Sequence, residues 1–178
     1  QKSLESNKIK IIGNVAEEDW EEAHSSQFDL IIMRHVLEHM LNPVDILKKI
    51  SHALAPGGIL YIAVPNAMKA SHPVRYNHFR NVHTYYYNAQ SLENLFRLAG
   101  LQSLHIIEGD HFQCSDLIAF GTKSDTKKTL TLDTEAVKAQ EEFYKKRMNK
   151  EETLSFKCMR WIKTRYHKYM AKIVFALS

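Results

Sequence analysis

The stretch FDLIIMRHVLEHMLNPVDILKKISHALAPGGILYIAVPN, residues 28–66, decides the fold. It holds two apolar runs, FDLIIM (28–33) and ILYIAV (59–64), with almost no alternation of polar and apolar residues. Such runs are typical of strands buried on both faces of a parallel sheet. Asn42-Pro43 predicts the start of a helix between them, and PGG (56–58) predicts its end and a turn. We therefore predict a βαβ unit with parallel strands.

Further elements flank this unit. KIKII (8–12) predicts an earlier strand, and SLENLFRLAG (91–100) predicts an amphipathic helix that stops at its final glycine. LHIIEG (104–109) and DLIAFGT (116–122) predict two strands in an antiparallel pair. The polar and aromatic stretch 67–88 has no clean period, and loops of this length inside a compact domain are usually functional.

Composition limits the class of protein. With 178 residues and 44% hydrophobic content, the chain suits one globular domain with a real core. No apolar run is long enough for a membrane span, and the N-terminus lacks the apolar segment of a signal peptide. Cys114 and Cys158 lie in different segments and form no CxxC motif, which favours a reduced, cytoplasmic protein.

The C-terminal third has a different composition. We predict a globular core over residues 1–122, followed over 123–178 by a polar linker, a charged helix and a basic helix. No acidic residue follows Glu152. The basic helix suits peripheral contact with anionic lipids, or packing on the domain or on a second copy, and we favour packing. No nucleic-acid-reading motif is present, so we expect no nucleic-acid partner.

The order of elements resembles the C-terminal half of a class I S-adenosylmethionine-dependent methyltransferase. The pattern RHVLEH, PGG, VPN, then a histidine before aromatics and SLxxLxxxAG, is especially similar to bacterial methyltransferases acting on sugars, glycan precursors and small metabolites. The resemblance covers about residues 8–122. It implies an α/β, Rossmann-like sheet with an antiparallel C-terminal strand pair, and S-adenosyl-L-methionine as cofactor. It also implies methyl transfer to a small-molecule acceptor, with a sugar oxygen favoured over carbon or nitrogen.

One part of the family pattern is missing. The glycine-rich loop that holds the methionine part of the cofactor, and the acidic residue that holds its ribose, would lie before residue 1. None of the six glycines forms such a loop. We therefore expect the N-terminal strands to be missing or truncated in this sequence. A non-catalytic module that serves as a partner subunit or scaffold remains the alternative.

Candidate cofactor contacts follow from strand ends and from the resemblance. Arg34 and His35 follow the first strand of the βαβ unit, at the edge where doubly wound sheets bind ligands. The resemblance places Asn14 and Val15 beside the adenine. Asn14 stands where the family usually has Asp and keeps an acceptor oxygen.

Candidate catalytic residues are the histidines that could remove a proton from the acceptor: His35, His39 and His83. Glu38 could orient one of them, or could simply support the entrance of the helix at Pro43. We expect five residues to contact the acceptor: Glu38, Asn66, His78, Tyr85 and Tyr86.

No metal site is expected in the long loop. Its histidines, His72, His78 and His83, are spaced six and five residues apart, and this matches no common zinc signature.

Overall fold

The structure is a computed structural model that describes residues 13–15, 17, 19–69, 74, 82–109, 116–124, 130, 134–153, 156–157 and 161. The chain forms two compact units. The first comprises residues 1–69 and 82–132, and the second comprises residues 70–81 and 133–178. The strand predicted over 8–12, both cysteines and most of the predicted basic helix lie outside the described residues.

The first unit alternates helices with strands. Its elements, in chain order, are α1 (Trp20–Ala23), β1 (Phe28–Arg34), a 3₁₀ turn (Leu37–His39), α2 (Pro43–Ala53), β2 (Leu54–Pro65), α3 (Ala89–Leu98), β3 (Leu101–Glu108) and β4 (Asp116–Lys123).

The strands form one mixed sheet with the order β1-β2-β4-β3. β1 and β2 are parallel, with Ile31 beside Leu60, which confirms the predicted βαβ unit. β4 is antiparallel to both of its neighbours, which confirms the predicted antiparallel pair. The carboxyl ends of β1 and β2 therefore lie at the same edge as the amino end of β4.

The core lies on one face of the sheet. It combines alternate residues of β2, such as Leu60 and Ile62, with Leu47 of α2 and with Leu92 and Phe96 of α3. All five side chains are fully buried. The predicted apolar face of α3 is thus confirmed, and the turn after it has Gly100 at a φ of +71°.

The expectation that β1 is buried on both faces is wrong. Leu30 and Ile32 are 56% and 64% exposed, whereas Met33 belongs to the core. Successive strand residues point to opposite faces, and among the described residues the helices α2 and α3 pack against the face that carries Met33. The apolar character of β1 did not reveal that its other face is open.

The expectation that PGG (56–58) ends the helix is also wrong. α2 ends at Ala53, and β2 begins at the next residue. The Pro-Gly-Gly segment lies within β2 as an irregularity, since Phe28 pairs with Leu54 but Leu30 pairs with Ile59. Gly58 is required there because a Cβ would lie 2.8 Å from the Phe28 carbonyl oxygen.

The second unit contains α4 (Thr134–Glu152), which confirms the predicted charged helix. In this unit the buried Glu151 carboxylate accepts a hydrogen bond of 2.6 Å from the Val74 amide, and Arg147 Nε lies 3.6 Å from the same oxygen. Across the part of the chain that the structure describes, no helix is long and apolar enough to cross a membrane.

Candidate active site

The candidate site begins where β1 ends. Arg34 is the last residue of the strand and is exposed, and His35 follows with a φ of +52°. This left-handed conformation is uncommon for residues other than glycine and turns the chain sharply. The His35 amide donates to the Ala63 carbonyl of β2 over 2.8 Å, which continues the parallel ladder by one bond.

The His35 ring lies between two carboxylates. Its Nε2 is 3.1 Å from Oδ2 of Asp116, and its Nδ1 is 3.4 Å from Oε1 of Glu38. Asp116 is the first residue of β4, so the antiparallel strand brings it to the carboxyl edge of β1. With a carboxylate at each nitrogen, His35 is suited to holding Glu38 and Asp116 in place.

Glu38 is the most unusual group of the site. Its side chain is 1% exposed, and neither carboxylate oxygen has a hydrogen-bond partner among the described residues. The 3₁₀ turn Leu37–His39 places it there, and the fully buried Leu37 anchors that turn in the core. The alternative that Glu38 merely supports the entrance of α2 does not explain a buried carboxylate without hydrogen bonds.

The segment before α3 docks on the same turn. The amides of Thr84 and Tyr85 both donate to the Glu38 carbonyl, over 2.8 and 3.3 Å. His39 Nδ1 lies 2.7 Å from the Val82 carbonyl oxygen, and the rings of His39 and His83 are 4.9 Å apart. These bonds bring His83 next to Glu38 and His39.

The tyrosine run borders the cluster. Tyr85 is exposed and donates from its hydroxyl to the Leu41 carbonyl, while the Tyr86 ring lies 5.9 Å from the His83 ring. Tyr87 is buried in the core, and its hydroxyl has no hydrogen-bond partner in the described chain. Burial raises the pKa of Tyr87 well above its usual range, and the charges of Tyr85 and Glu38 raise it further.

Asn66 lies at the predicted edge, directly after β2, and is buried. Its Oδ1 accepts from the Met68 amide over 2.9 Å, and its Nδ2 lies 3.4 Å from Oε2 of Glu108. Its backbone also bridges to Tyr87. Both ends of the Asn66 side chain therefore contact the protein, and the residue ties β2 to the loop.

The candidate adenine contacts lie on another side of β1. Asn14 is exposed, and its carbonyl accepts from the Glu17 amide in a turn. Val15 lines an open, mostly apolar cavity of about 400 Å³ beside β1. The cavity wall also includes Val36. Because Val36 directly follows His35 in the chain, the cavity reaches a residue next to the histidine cluster.

The structure thus gathers His35, Glu38, His39 and His83, which the sequence singled out from distant segments. His78 lies outside the described residues. Asp116 was missed, although it has a readable signal: an acidic residue that begins an antiparallel strand lies at the edge where parallel strands end.

A known protein family is similar to this chain in sequence, and solved structures are similar to it in fold. Residues 3–106 match a methyltransferase domain family. No curated protein matches the chain. The structure is similar to one in the complex between the Haloferax volcanii Trm112 methyltransferase activator and a proposed methyltransferase, with a TM-score of 0.56 and 13% identity, over 69% of this chain and 67% of that one.

Two further structures are similar at the same level. One is an S-adenosylmethionine-dependent methyltransferase of Thermotoga maritima, described as a possible histamine N-methyltransferase, with a TM-score of 0.52, 14% identity and coverage of 69% and 68%. The other is an S-adenosylmethionine-dependent methyltransferase of Clostridium acetobutylicum, with a TM-score of 0.52, 10% identity and coverage of 69% for each chain. At these identities the similarity shows the fold, a Rossmann-like α/β sheet, as predicted.

Proposed function

The chain belongs to the methyltransferase domain family of class I S-adenosylmethionine-dependent methyltransferases, and from that premise we propose that it methylates an oxygen of a small polar acceptor. The observation that carries the proposal is the buried Glu38 carboxylate, gathered with His35, His39 and His83 where β1 ends. Carboxylates and imidazoles hydrogen-bond hydroxyl groups. A sugar or glycan precursor is therefore the favoured acceptor class.

Methyl transfer requires the protein to align the acceptor oxygen with the methyl group and to help the acceptor lose a proton. An acceptor oxygen attacks the methyl carbon, the bond from carbon to the positive sulfur breaks, and neutral S-adenosylhomocysteine leaves. The acceptor oxygen also loses its hydrogen as a proton. In this proposal the polar cluster around Glu38 polarises that O–H bond, and water takes the proton. His35, held between Glu38 and Asp116, acts as a positioning residue in this proposal.

The cofactor is proposed to lie along β1. The cavity that Val15 lines has a volume within the range of ligand pockets, about 300–1,000 Å³, and apolar walls suit the adenine ring. Asn14 is proposed to accept from the adenine amine, and Arg34 and His35 to border the methionine end. Tyr85 and Tyr86, with Asn66 fixing their loop, are proposed to border the acceptor, as is His78.

The test uses calorimetry with S-adenosylhomocysteine and transfer of a labelled methyl group to a panel of hydroxylated acceptors. It is made on this chain and on one extended by any residues that precede Gln1. We expect Glu38→Gln to lower kcat about 100-fold with little change in the Kd for S-adenosylhomocysteine. His105→Gln, on the exposed side of β3, is the matched control and should behave as wild type.

Two results would count against the proposal. Absence of cofactor binding by the extended protein would replace it with the alternative, a non-catalytic partner subunit or scaffold. Equal turnover in Glu38→Gln and in the control would remove the cluster from the acceptor site.

A further inference from the structure

The cluster beside β1 has the composition and spacing of a metal site. Glu38, His39 and His83 each offer one ligand atom, and these atoms lie within 4.8 Å of one another. Two of the three residues come from the turn after β1, and His83 comes from the segment before α3. The hydrogen bonds from the Thr84 and Tyr85 amides to the Glu38 carbonyl fix the two segments together.

Two histidine rings lie near the Glu38 carboxylate, but the carboxylate has no hydrogen-bond partner among the described residues. Its oxygens accept no hydrogen bond from any residue that the structure describes, and the nearest ring nitrogens are 3.4 Å away in His35 and 3.8 Å away in His39. Buried carboxylates in proteins are paired, hydrogen-bonded or bound to a metal ion, because burying an uncompensated charge is costly. A cation bound beside Glu38 would compensate the charge of this buried carboxylate.

The His39 ring is oriented as a metal ligand is. The Val82 carbonyl can only accept a hydrogen bond, so Nδ1 of His39, 2.7 Å away, carries the proton. In the neutral ring the lone pair then lies on Nε2, the nitrogen 3.8 Å from Glu38. Metal-binding histidines in general donate their other ring N–H to a carbonyl or carboxylate in this way.

We propose that Glu38, His39 and His83 bind one divalent transition-metal ion of the zinc type. Two imidazoles and one carboxylate are a ligand set that zinc accepts, at about 2.0–2.2 Å from each atom. Tetrahedral bonds of that length hold ligand atoms about 3.4 Å apart, so ligand atoms up to 4.8 Å apart must approach by up to about 1.4 Å. His83, on the separate segment before α3, is partly exposed, so its ring can shift toward Glu38 while His39 keeps its bond to the Val82 carbonyl.

Three protein ligands leave one position open, as in catalytic rather than structural zinc sites. On the basis of the proposed function, that position takes the acceptor's hydroxyl oxygen. The ion polarises the O–H bond and the proton passes to water, after which the oxygen attacks the methyl carbon of the cofactor. The histidine spacing within the loop could not reveal this set, because two of its ligands come from another segment.

The test is calorimetric titration of the whole chain with Zn²⁺, together with the absorption spectrum of the Co²⁺ form. We expect one ion per chain at this cluster, and at least about 100-fold weaker binding in Glu38→Gln and in His83→Gln, since even outer-shell changes cost 10–100-fold. His105→Gln should bind as wild type. Because Glu38 is buried, circular dichroism is used to check that Glu38→Gln is folded. His83 is only half-buried, so His83→Gln provides an independent variant.

The outcomes separate this inference from the proposed function. Equal Zn²⁺ affinity in the two variants and the control, or no uptake by the wild type, would overturn the metal site, whatever the methyl-transfer result. Zn²⁺ uptake that both variants lose supports the site even in a protein that transfers no methyl group. If methyl transfer continued after a chelator had removed all of the metal, the ion would have no role in the reaction.

Discussion

In the described part of the chain, helices cover one face of the sheet and leave the other face open, although both faces are apolar. On the covered face, α2 and α3 pack over β2 and β4, and Leu60 and Phe96 are fully buried. On the open face, Leu30 and Ile32 are more than half exposed. The hydrophobicity of the strands is thus no guide to which face is packed. Which face is packed depends on where the helices that follow each strand lie.

The residues of the candidate site are anchored in the core of the covered face. Leu37 and Tyr87 are buried in the covered-face core, and the segments that carry them also carry Glu38 and His83. A carboxylate can be held without hydrogen bonds only where the surrounding structure fixes it, and the packed face provides that rigidity. The open face has no comparable group among the described residues.

The largest expected effect comes from matched truncations on the two faces. Phe96→Ala should lower the free energy of unfolding by about 3–5 kcal/mol, because it removes a fully buried ring and leaves a cavity against Gly121. Ile32→Ala, at a side chain 64% exposed, should cost less than about 0.5 kcal/mol. Urea denaturation followed by circular dichroism measures both.

A different result would be informative about the open face. If Ile32→Ala cost as much as Phe96→Ala, the open face would be covered in solution, and the contrast between the faces would disappear.

A smaller effect compares the two helices of the covered face. Asn88 caps α3 with a complete capping box, in which its side chain accepts from the Ser91 amide over 2.8 Å. Asn42 precedes α2 without a side-chain capping bond. Asn88→Ala should therefore cost about 1 kcal/mol, and Asn42→Ala distinctly less. Equal shifts in the urea midpoint would contradict the difference between the caps.

Much of the fold could be predicted because local signals agreed with it. Periodicity and Asn42-Pro43 placed α2, the apolar runs placed β1 and β2, and Gly100 marked the end of the next helix. Two expectations failed for one physical reason. The burial of Leu30 and the role of PGG (56–58) depend on what lies beside them in space, and a run of residues does not contain that information.

The site was predictable in its parts and not in its assembly. Strand ends pointed to His35, and the family pattern pointed to Glu38, His39 and His83, but their mutual distances depend on the Glu38 carbonyl binding the Thr84 amide. Asp116 was missed because its role depends on antiparallel pairing, which places the start of β4 beside the end of β2, at the edge of the sheet where β1 also ends.

The smallest expected effect concerns Tyr87, where the covered face meets the site. Its buried hydroxyl has no hydrogen-bond partner within the described residues, so Tyr87→Phe should change stability at pH 7 by less than about 1 kcal/mol. At alkaline pH the two proteins should diverge. Burial raises the pKa of Tyr87 above its ordinary value of about 10, so the folded protein keeps a proton that the unfolded chain loses.

The stability contributed by that proton is complete below about pH 10 and falls as the pH rises above it. The wild type should therefore lose stability more steeply than Tyr87→Phe between about pH 10 and 11, as measured by urea denaturation at each pH. Parallel curves for the two proteins would mean that the Tyr87 hydroxyl reaches water or a partner. The covered face would then be less tightly closed at the site than Phe96 and Leu60 indicate.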